Sequence, residues 1–593
     1  MKTRPTVAGV APAVVAGGLV LAVAVACGQD RNPFDGAVSF PEQDASDPKC
    51  LYQCSLDGRS RTLICDGNVT ETVPCPPELA CGGGVCQEPC AAAAADRSSN
   101  GCEFYFQAPR YSKMFRQSCY AAFVVNTSLQ EANVSLEHEG KPLDISKSLF
   151  RTAPGSATLA PHSGPLPPGE GAILFVSDRN RENEAVVPST PNNPDSPCPE
   201  GVVPASYADV IPNGTGVGSS FHLSANVPVS LASIYPFGGA PSKLPTATLH
   251  LPVSAWAKEH VLVNGWESGR LGKAGVAIVA SEDDTEITLL PNVDLQNGAN
   301  VIGVPAGTPW SFRLEKGQNL QLVQAKELTG SFITSNKPIG TFGGHACAFI
   351  PNDMGACDYL TQQIPALEQW GSEYVGVGYR PRLGNEHEPV IYRIVAARDG
   401  TKLEYDPPIP PAGAPVTMSA GEARTFSNGT GDGFVVRTQD ADHPIHVAVY
   451  MSGGEEFGGP GDPEFVNVVP AGQYLSSYTF YADPTYRETS LVIVRAKSGG
   501  RFHDVWLECA GNLTEFRPIG TKGEFEYVRV DLSRSAGPGD TFDAGVCQVG
   551  MQRMRSDGPF TASVWGWSDF ASYGYAGGMA LRKLVPGDLS IPR

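Results

Sequence analysis

Pro444-Ile-His-Val-Ala-Val-Tyr450 is a proline followed by a run in which apolar residues alternate with small or polar ones. Alternation of this kind sends successive side chains to opposite faces, as in a strand buried on one side. Proline suits the first position of a strand, where no ladder donor is needed. The pattern returns as Pro228-Val-Ser-Leu-Ala-Ser-Ile-Tyr235, as Pro338-Ile-Gly-Thr-Phe-Gly343 and as Pro559-Phe-Thr-Ala-Ser-Val-Trp565. Its copies stand roughly a hundred residues apart, which is the mark of a repeated unit.

Two further patterns keep step with it. Ala122-Phe-Val-Val-Asn126, Val276-Ala-Ile-Val-Ala-Ser-Glu-Asp-Asp-Thr285, Ile391-Tyr-Arg-Ile-Val-Ala-Ala-Arg-Asp-Gly-Thr401 and Leu491-Val-Ile-Val-Arg-Ala496 open the units. Leu166-Pro-Pro-Gly-Glu170, Leu314-Glu-Lys-Gly-Gln318 and Met418-Ser-Ala-Gly-Glu422 lie between the two runs of the first three. Gly beside Asp or Glu supplies tight turns, so Ser281-Glu-Asp-Asp-Thr285 reads as a hairpin turn. The expected fold is all-β, in tandem β-sandwich-like repeats of about 100 residues. A propeller-like ring of the four units is the alternative. Abundant Gly (66) and Pro (51) with only 18% charged residues agree with many short strands.

The chain has 593 residues and 15 cysteines, with a formal net charge of −19. So acidic a chain repels phosphate backbones, and no nucleic-acid partner is expected. Many cysteines imply an oxidising compartment. Lys2 and Arg4 precede an apolar run from Val7 to Ala26, which reads as a secretion signal. It ends in Ala24-Val-Ala-Cys27, similar to a bacterial lipobox with Cys27 as the acylated residue, and Gly28 follows in place of a retention Asp. Residues 1–27 are thus expected to be a lipoprotein signal peptide. Residues 28–49, polar and carrying Pro33, Pro41 and Pro48, read as a flexible tether.

Residues 50–95 hold Cys50, Cys54, Cys65, Cys75, Cys81, Cys86 and Cys90. So short a segment needs cross-links, and a disulfide module is expected, with zinc as the alternative. Seven is odd, so at least one pairs outside, with Cys102, Cys119 or Cys198 as candidates. The alanine run Ala91–Ala95 reads as a spacer. Residues 101–240 form the first β unit and residues 241–593 a domain of three more.

Across that larger domain the chain is similar to a known family. The residues are Leu251-Pro-Val-Ser-Ala-Trp256, Ala280-Ser-Glu-Asp-Asp-Thr-Glu-Ile-Thr288, Leu314-Glu-Lys-Gly-Gln318, Glu327-Leu-Thr-Gly-Ser-Phe-Ile-Thr-Ser-Asn-Lys-Pro-Ile339, Cys357-Asp-Tyr-Leu-Thr-Gln-Gln-Ile-Pro365, Trp370-Gly-Ser-Glu-Tyr374 and Ser572-Tyr-Gly-Tyr-Ala-Gly-Gly578. In this order they resemble the N-terminal domain of IgGFc-binding proteins. The Cys-rich segment, with Asn100-Gly-Cys-Glu-Phe104 and Cys119-Tyr-Ala-Ala-Phe-Val-Val-Asn126, resembles modules of myxobacteria-like surface lipoproteins. The family motif brings no catalytic or ligand residues to carry over, and Fc binding is not transferred on a likeness of fold.

His345, Cys347 and Asp358 could form a nucleophile set. A disulfide Cys347–Cys357 closing a polar ten-residue loop is the stronger reading, with Cys509–Cys547 as a second local bridge. Asn385-Glu-His387-Glu-Pro389 lacks the second histidine of a zinc protease. Trp565, Trp567, Tyr573 and Tyr575 are candidate ligand-facing aromatics, with core packing as their other use. No metal and no cofactor is expected. The resulting expectation is an outer-membrane or cell-surface lipoprotein with a binding or adhesion role and no catalysis, facing an extracellular protein or glycan. The alternative is an exported hydrolase using Glu386, Glu388 or Asp358 as acid and base.

Overall fold

The computed structural model describes residues 50–587 except 56–57, 66–67, 181–194, 385–386 and 430. The signal, Cys27 and the tether lie outside the described residues. The described residues belong to one compact unit, and the fold is nearly all-β.

The unit expected from the alternating runs is clearest in residues 373–467. One sheet runs in the order Glu373–Gly376, Phe434–Thr438, Thr401–Asp406, Thr417–Met418. The other runs Ala423–Asn428, Val390–Ala396, Ile445–Met451, Glu464–Asn467. In the other three units one long strand serves both sheets. Phe332–Ala348 pairs along its first part with Ala257–Val261 and Thr285–Leu290, then with Ala274–Ala280 and Asp358–Ile364. Phe221–Tyr235 and Gly550–Ser568 change partners in the same way. The sheets are open half-barrels and close no propeller.

Two sequence expectations are corrected. Ser281–Asp284 is not a hairpin turn. Ala274–Ala280 and Thr285–Leu290 pair with different halves of Phe332–Ala348, so the turn crosses from one sheet to the other. The boundary at 240/241 cuts a sheet, because Thr246–His250 pairs with Phe221–Tyr235 and completes the first unit. In the opposite direction, Gly216–Ser219 precedes that boundary yet pairs with Gln318–Gln324 of the second unit.

The strands Tyr120–Asn126, Ala274–Ala280, Val390–Ala396 and Ile445–Met451 are buried at every residue. Alternation predicted one wet face. That face is covered because the units pack on one another, and the core clusters run across unit boundaries. Short 3-10 turns join the units, and each ends on a ring: Val253–Ala255 before Trp256, Leu367–Gln369 before Trp370, Ala471–Gln473 before Tyr474. The indole N–H groups of Trp256 and Trp370 donate back to Leu251 O and Pro365 O, both at 3.0 Å. Gln369 Nε2 donates to Ala255 O at 2.6 Å, and Gln473 Nε2 to Gln369 O at 3.1 Å. Each linker is thereby hydrogen-bonded to the one before it.

The last strands of the four units, Thr246–His250, Asp358–Ile364, Glu464–Asn467 and Ala571–Ala576, pack against one another. Gln362 Nε2 donates to Ala247 O, Phe465 O and Gly574 O, so one side chain of the second strand reaches the other three. Chain entry and exit also meet. Ser99 N–H donates to Met579 O and Leu581 N–H to Arg97 O.

Fourteen cysteines form seven disulfides. Cys50–Cys65, Cys54–Cys81 and Cys75–Cys86 staple the first module, which leaves zinc no thiolates. The seventh cysteine, Cys90, bonds Cys102 and fastens the module to the first β unit. Cys119 pairs with Cys198. The alanine run is more than a spacer: it forms the helix Pro89–Asp96. Gly82 presses on that helix so closely that a Cβ there would meet Ala92 O at 2.2 Å, so no larger residue fits. No described helix is long and apolar enough to cross a membrane.

Candidate functional site

An open groove of about 820 Å3 lies where the first and second units meet. Val210, Ile211 and Pro212, with Val217 and Gly218 of the strand Gly216–Ser219, line its apolar part. His138 and Glu139, at the end of Val134–His138, stand on one side, and the turn Glu315–Gln318 on the other. Both turns need a left-handed residue, Glu139 (φ 51) in the first and Gly317 (φ 78) in the second.

The walls are tied to the floor. His138 Nε2 and Ser219 Oγ are 2.6 Å apart, and Ser220 N–H donates to Gly317 O at 2.8 Å. Arg110, nearly fully buried, holds Asp209 at 2.6 Å and Lys113 reaches the same carboxylate at 3.2 Å. Half-burial pushes the His138 imidazole below its usual value, Glu139 pulls it back and Lys141 pushes it further down. The groove therefore keeps Glu139, Glu315 and Lys316 as charged rim groups over an apolar floor.

The floor includes a strand edge. Gly216–Ser219 sits at the end of its sheet, paired on one side only in that sheet. Ser219 N–H donates to Val210 O, away from Gln318–Gln324. By the two-residue period of a strand, the Val217 N–H and C=O also point away from that partner. Val217 is 39% exposed. On that edge the Ser219 N–H is already taken by Val210 O, so the groove offers chiefly the Val217 side chain and its apolar neighbours for contact.

The sequence picked out different residues. Trp565, Trp567, Tyr573 and Tyr575 are all at most 1% exposed and face no solvent. Trp565 packs on Tyr379, Arg380 lies over Trp567, Tyr573 packs on Tyr486, and the Tyr575 hydroxyl donates to Tyr481 O. Their ligand-facing role is replaced by core packing, because the fourth unit's two adjoining strands are covered on both faces. Asp358 is fully buried, and Glu388 accepts from Arg382 Nε at 2.8 Å and from the Tyr379 hydroxyl at 2.9 Å. Glu386 lies outside the described residues. Cys347 is bonded to Cys357, and His345 Nδ1 accepts from the Cys347 N–H, so that trio carries no free thiol. Cys509 is bonded to Cys547. No motif marks the groove residues, since they come from three separated loops.

A family model described as IgGFc binding protein matches residues 246–566, more than half of the chain. The chain belongs to the IgGFc-binding protein family. No curated protein and no solved structure matches it. The family region begins at the last strand of the first unit and ends within Gly550–Ser568. It supplies the Glu315–Gln318 wall of the groove, and the chain before it supplies the rest. Membership of the IgGFc-binding family points to a binding role, and the disulfides fit an exported protein.

Proposed function

We propose that the chain is a lipid-anchored protein of the outer cell surface that binds an extracellular protein and performs no catalysis. One observation carries the reading: the open groove between the first two units, with Val217 exposed in its apolar floor. Its size and lining suit a segment of polypeptide laid in extended form. The lipobox-like Ala24-Val-Ala-Cys27 supports the anchor, and the IgGFc-binding family supports a protein partner.

Two measurements test it. A photo-crosslinking residue at Val217 of the full chain, on intact cells, is expected to trap a protein that the same probe at the exposed Ile409 does not. Absence of a specific adduct at Val217 refutes the groove, and a glycan adduct refutes the partner class. Labelled palmitate is expected on the wild-type chain and not on Cys27→Ser; equal labelling of both refutes the anchor.

A further inference from the structure

Four carboxylates are buried where the last strands meet. Asp358, Asp462, Glu464 and Asp483 are each 0% exposed. Glu464 is well served: Thr246 Oγ1, the Phe465 N–H and the Ala247 N–H donate to it. Asp483 accepts from the Thr485 N–H and hydroxyl through one oxygen only. Asp462 accepts from the Gly454 N–H at 3.1 Å through Oδ1, while its Oδ2 has no partner. Neither oxygen of Asp358 has a partner of hydrogen-bonding geometry, although the Ser572 N–H faces that carboxyl.

An ionised carboxylate in such surroundings, without a donor, is costly enough that the group takes up a proton instead. The other groups around the junction do not relieve it. From the strand Glu464–Asn467 and the residues before it come the acids Glu464 and Asp462, and from the segment after Leu475–Ala482 come Asp483 and Tyr486. Ala571–Ala576 contributes Tyr573, a phenol. The nearest cations, Arg382 and Lys243, act on Asp462; Arg382 is already paired with Glu388, and Lys243 lies over the Phe570 ring.

We propose that the Asp358–Asp462 pair holds a proton in the folded protein, and that this proton keeps the last strands of the four units together. Raising the pH then removes it, and two like charges repel inside the junction, so the units loosen against one another. Burial, with the charges of Asp462 and Glu464 beside it, holds Asp358 well above the usual carboxylate range. Burial lifts Asp462 to about 7, against the Gly454 N–H, Arg382 and Lys243. A raised folded value means that stability is full below the unfolded carboxyl range and is lost as pH rises through the folded value.

The test compares the full chain with Asp358→Asn and Asp462→Asn, whose carboxamides keep the shape and cannot ionise. Thermal midpoints are read between about pH 7.5 and about pH 9, where histidines are neutral in the folded chain and almost wholly neutral in the unfolded one. The wild-type midpoint is expected to fall with rising pH, and either variant to flatten that fall. Infrared spectra at neutral pH are expected to show the carbonyl stretch of a protonated carboxyl, lost in Asp358→Asn. A flat wild-type profile, or no such band, overturns the proposal. So does a rise in the wild-type midpoint with calcium that Asp358→Asn abolishes, since a metal ion would then hold the place of the proton.

Discussion

The side-chain amide of Gln362 donates to the main-chain carbonyl of Phe465 at 2.8 Å, joining the last strand of the second unit to that of the third. It also reaches Ala247 O at 2.9 Å and Gly574 O at 3.1 Å. Gln362→Leu fills the same volume and leaves three buried carbonyls without that donor. The amide has two hydrogens to share among them, so at about 1 kcal/mol for each lost bond the expected loss is about 2 kcal/mol. A thermal midpoint equal to wild type would show that the four strands hold together without the amide.

Trp565→Ala distinguishes core from ligand contact. The ring packs on Tyr379 with centroids 5.1 Å apart and is 1% exposed. Truncation of a buried aromatic costs about 3–5 kcal/mol through lost contact and the cavity left behind. Circular dichroism melting is expected to show that loss. A ligand-facing Trp565 would instead leave the melt unchanged.

The disulfide Cys347–Cys357 closes a short loop in which His345 Nδ1 accepts the Cys347 N–H at 3.0 Å. Cross-linking so short a loop contributes about 2–3 kcal/mol, chiefly by restricting the unfolded chain. The double variant Cys347→Ala, Cys357→Ala is expected to unfold at lower denaturant and to be cut by protease within residues 348–356. Unchanged protection of that loop would contradict this assignment.

Acid acts through histidines. Burial pushes His250 down to about 3, and His260, His345 and His446 to about 4. Their unfolded value is about 6.5, so on acidification the unfolded chain takes up protons that the folded chain refuses. Their contribution to stability is complete above about pH 6.5 and lost as pH falls toward about 4. His250→Gln is expected to lessen the acid decline seen by fluorescence titration. An unaltered decline would remove His250 from its cause.

The alternating runs made the all-β fold legible, though not the choice between sandwich and ring, and odd cysteine counting pointed to a bond such as Cys90–Cys102. The expected local bridges Cys347–Cys357 and Cys509–Cys547 are present. What alternation could not convey was which strand pairs with which. Val276 and Thr285 lie in one continuous motif, yet their strands pair with different halves of Phe332–Ala348. The aromatic cluster misled because exposure depends on the neighbouring unit, and Trp565 meets Tyr379 from nearly two hundred residues away. The groove was invisible for a related reason: His138, Val217 and Lys316 share no pattern and are gathered only by folding. The linker rings Trp256, Trp370 and Tyr474 did leave a readable signal, a proline four or five residues before a ring.

The clasp between Arg97–Ser99 and Met579–Leu581 bears on mechanics. Tension arriving through the first module enters the β body at the point where its final segment is fastened. Drawing out the first strand must therefore shear the exit away at the same moment. The body is closed there as a belt is by its buckle, and its first paired strand is not drawn out before the buckle gives.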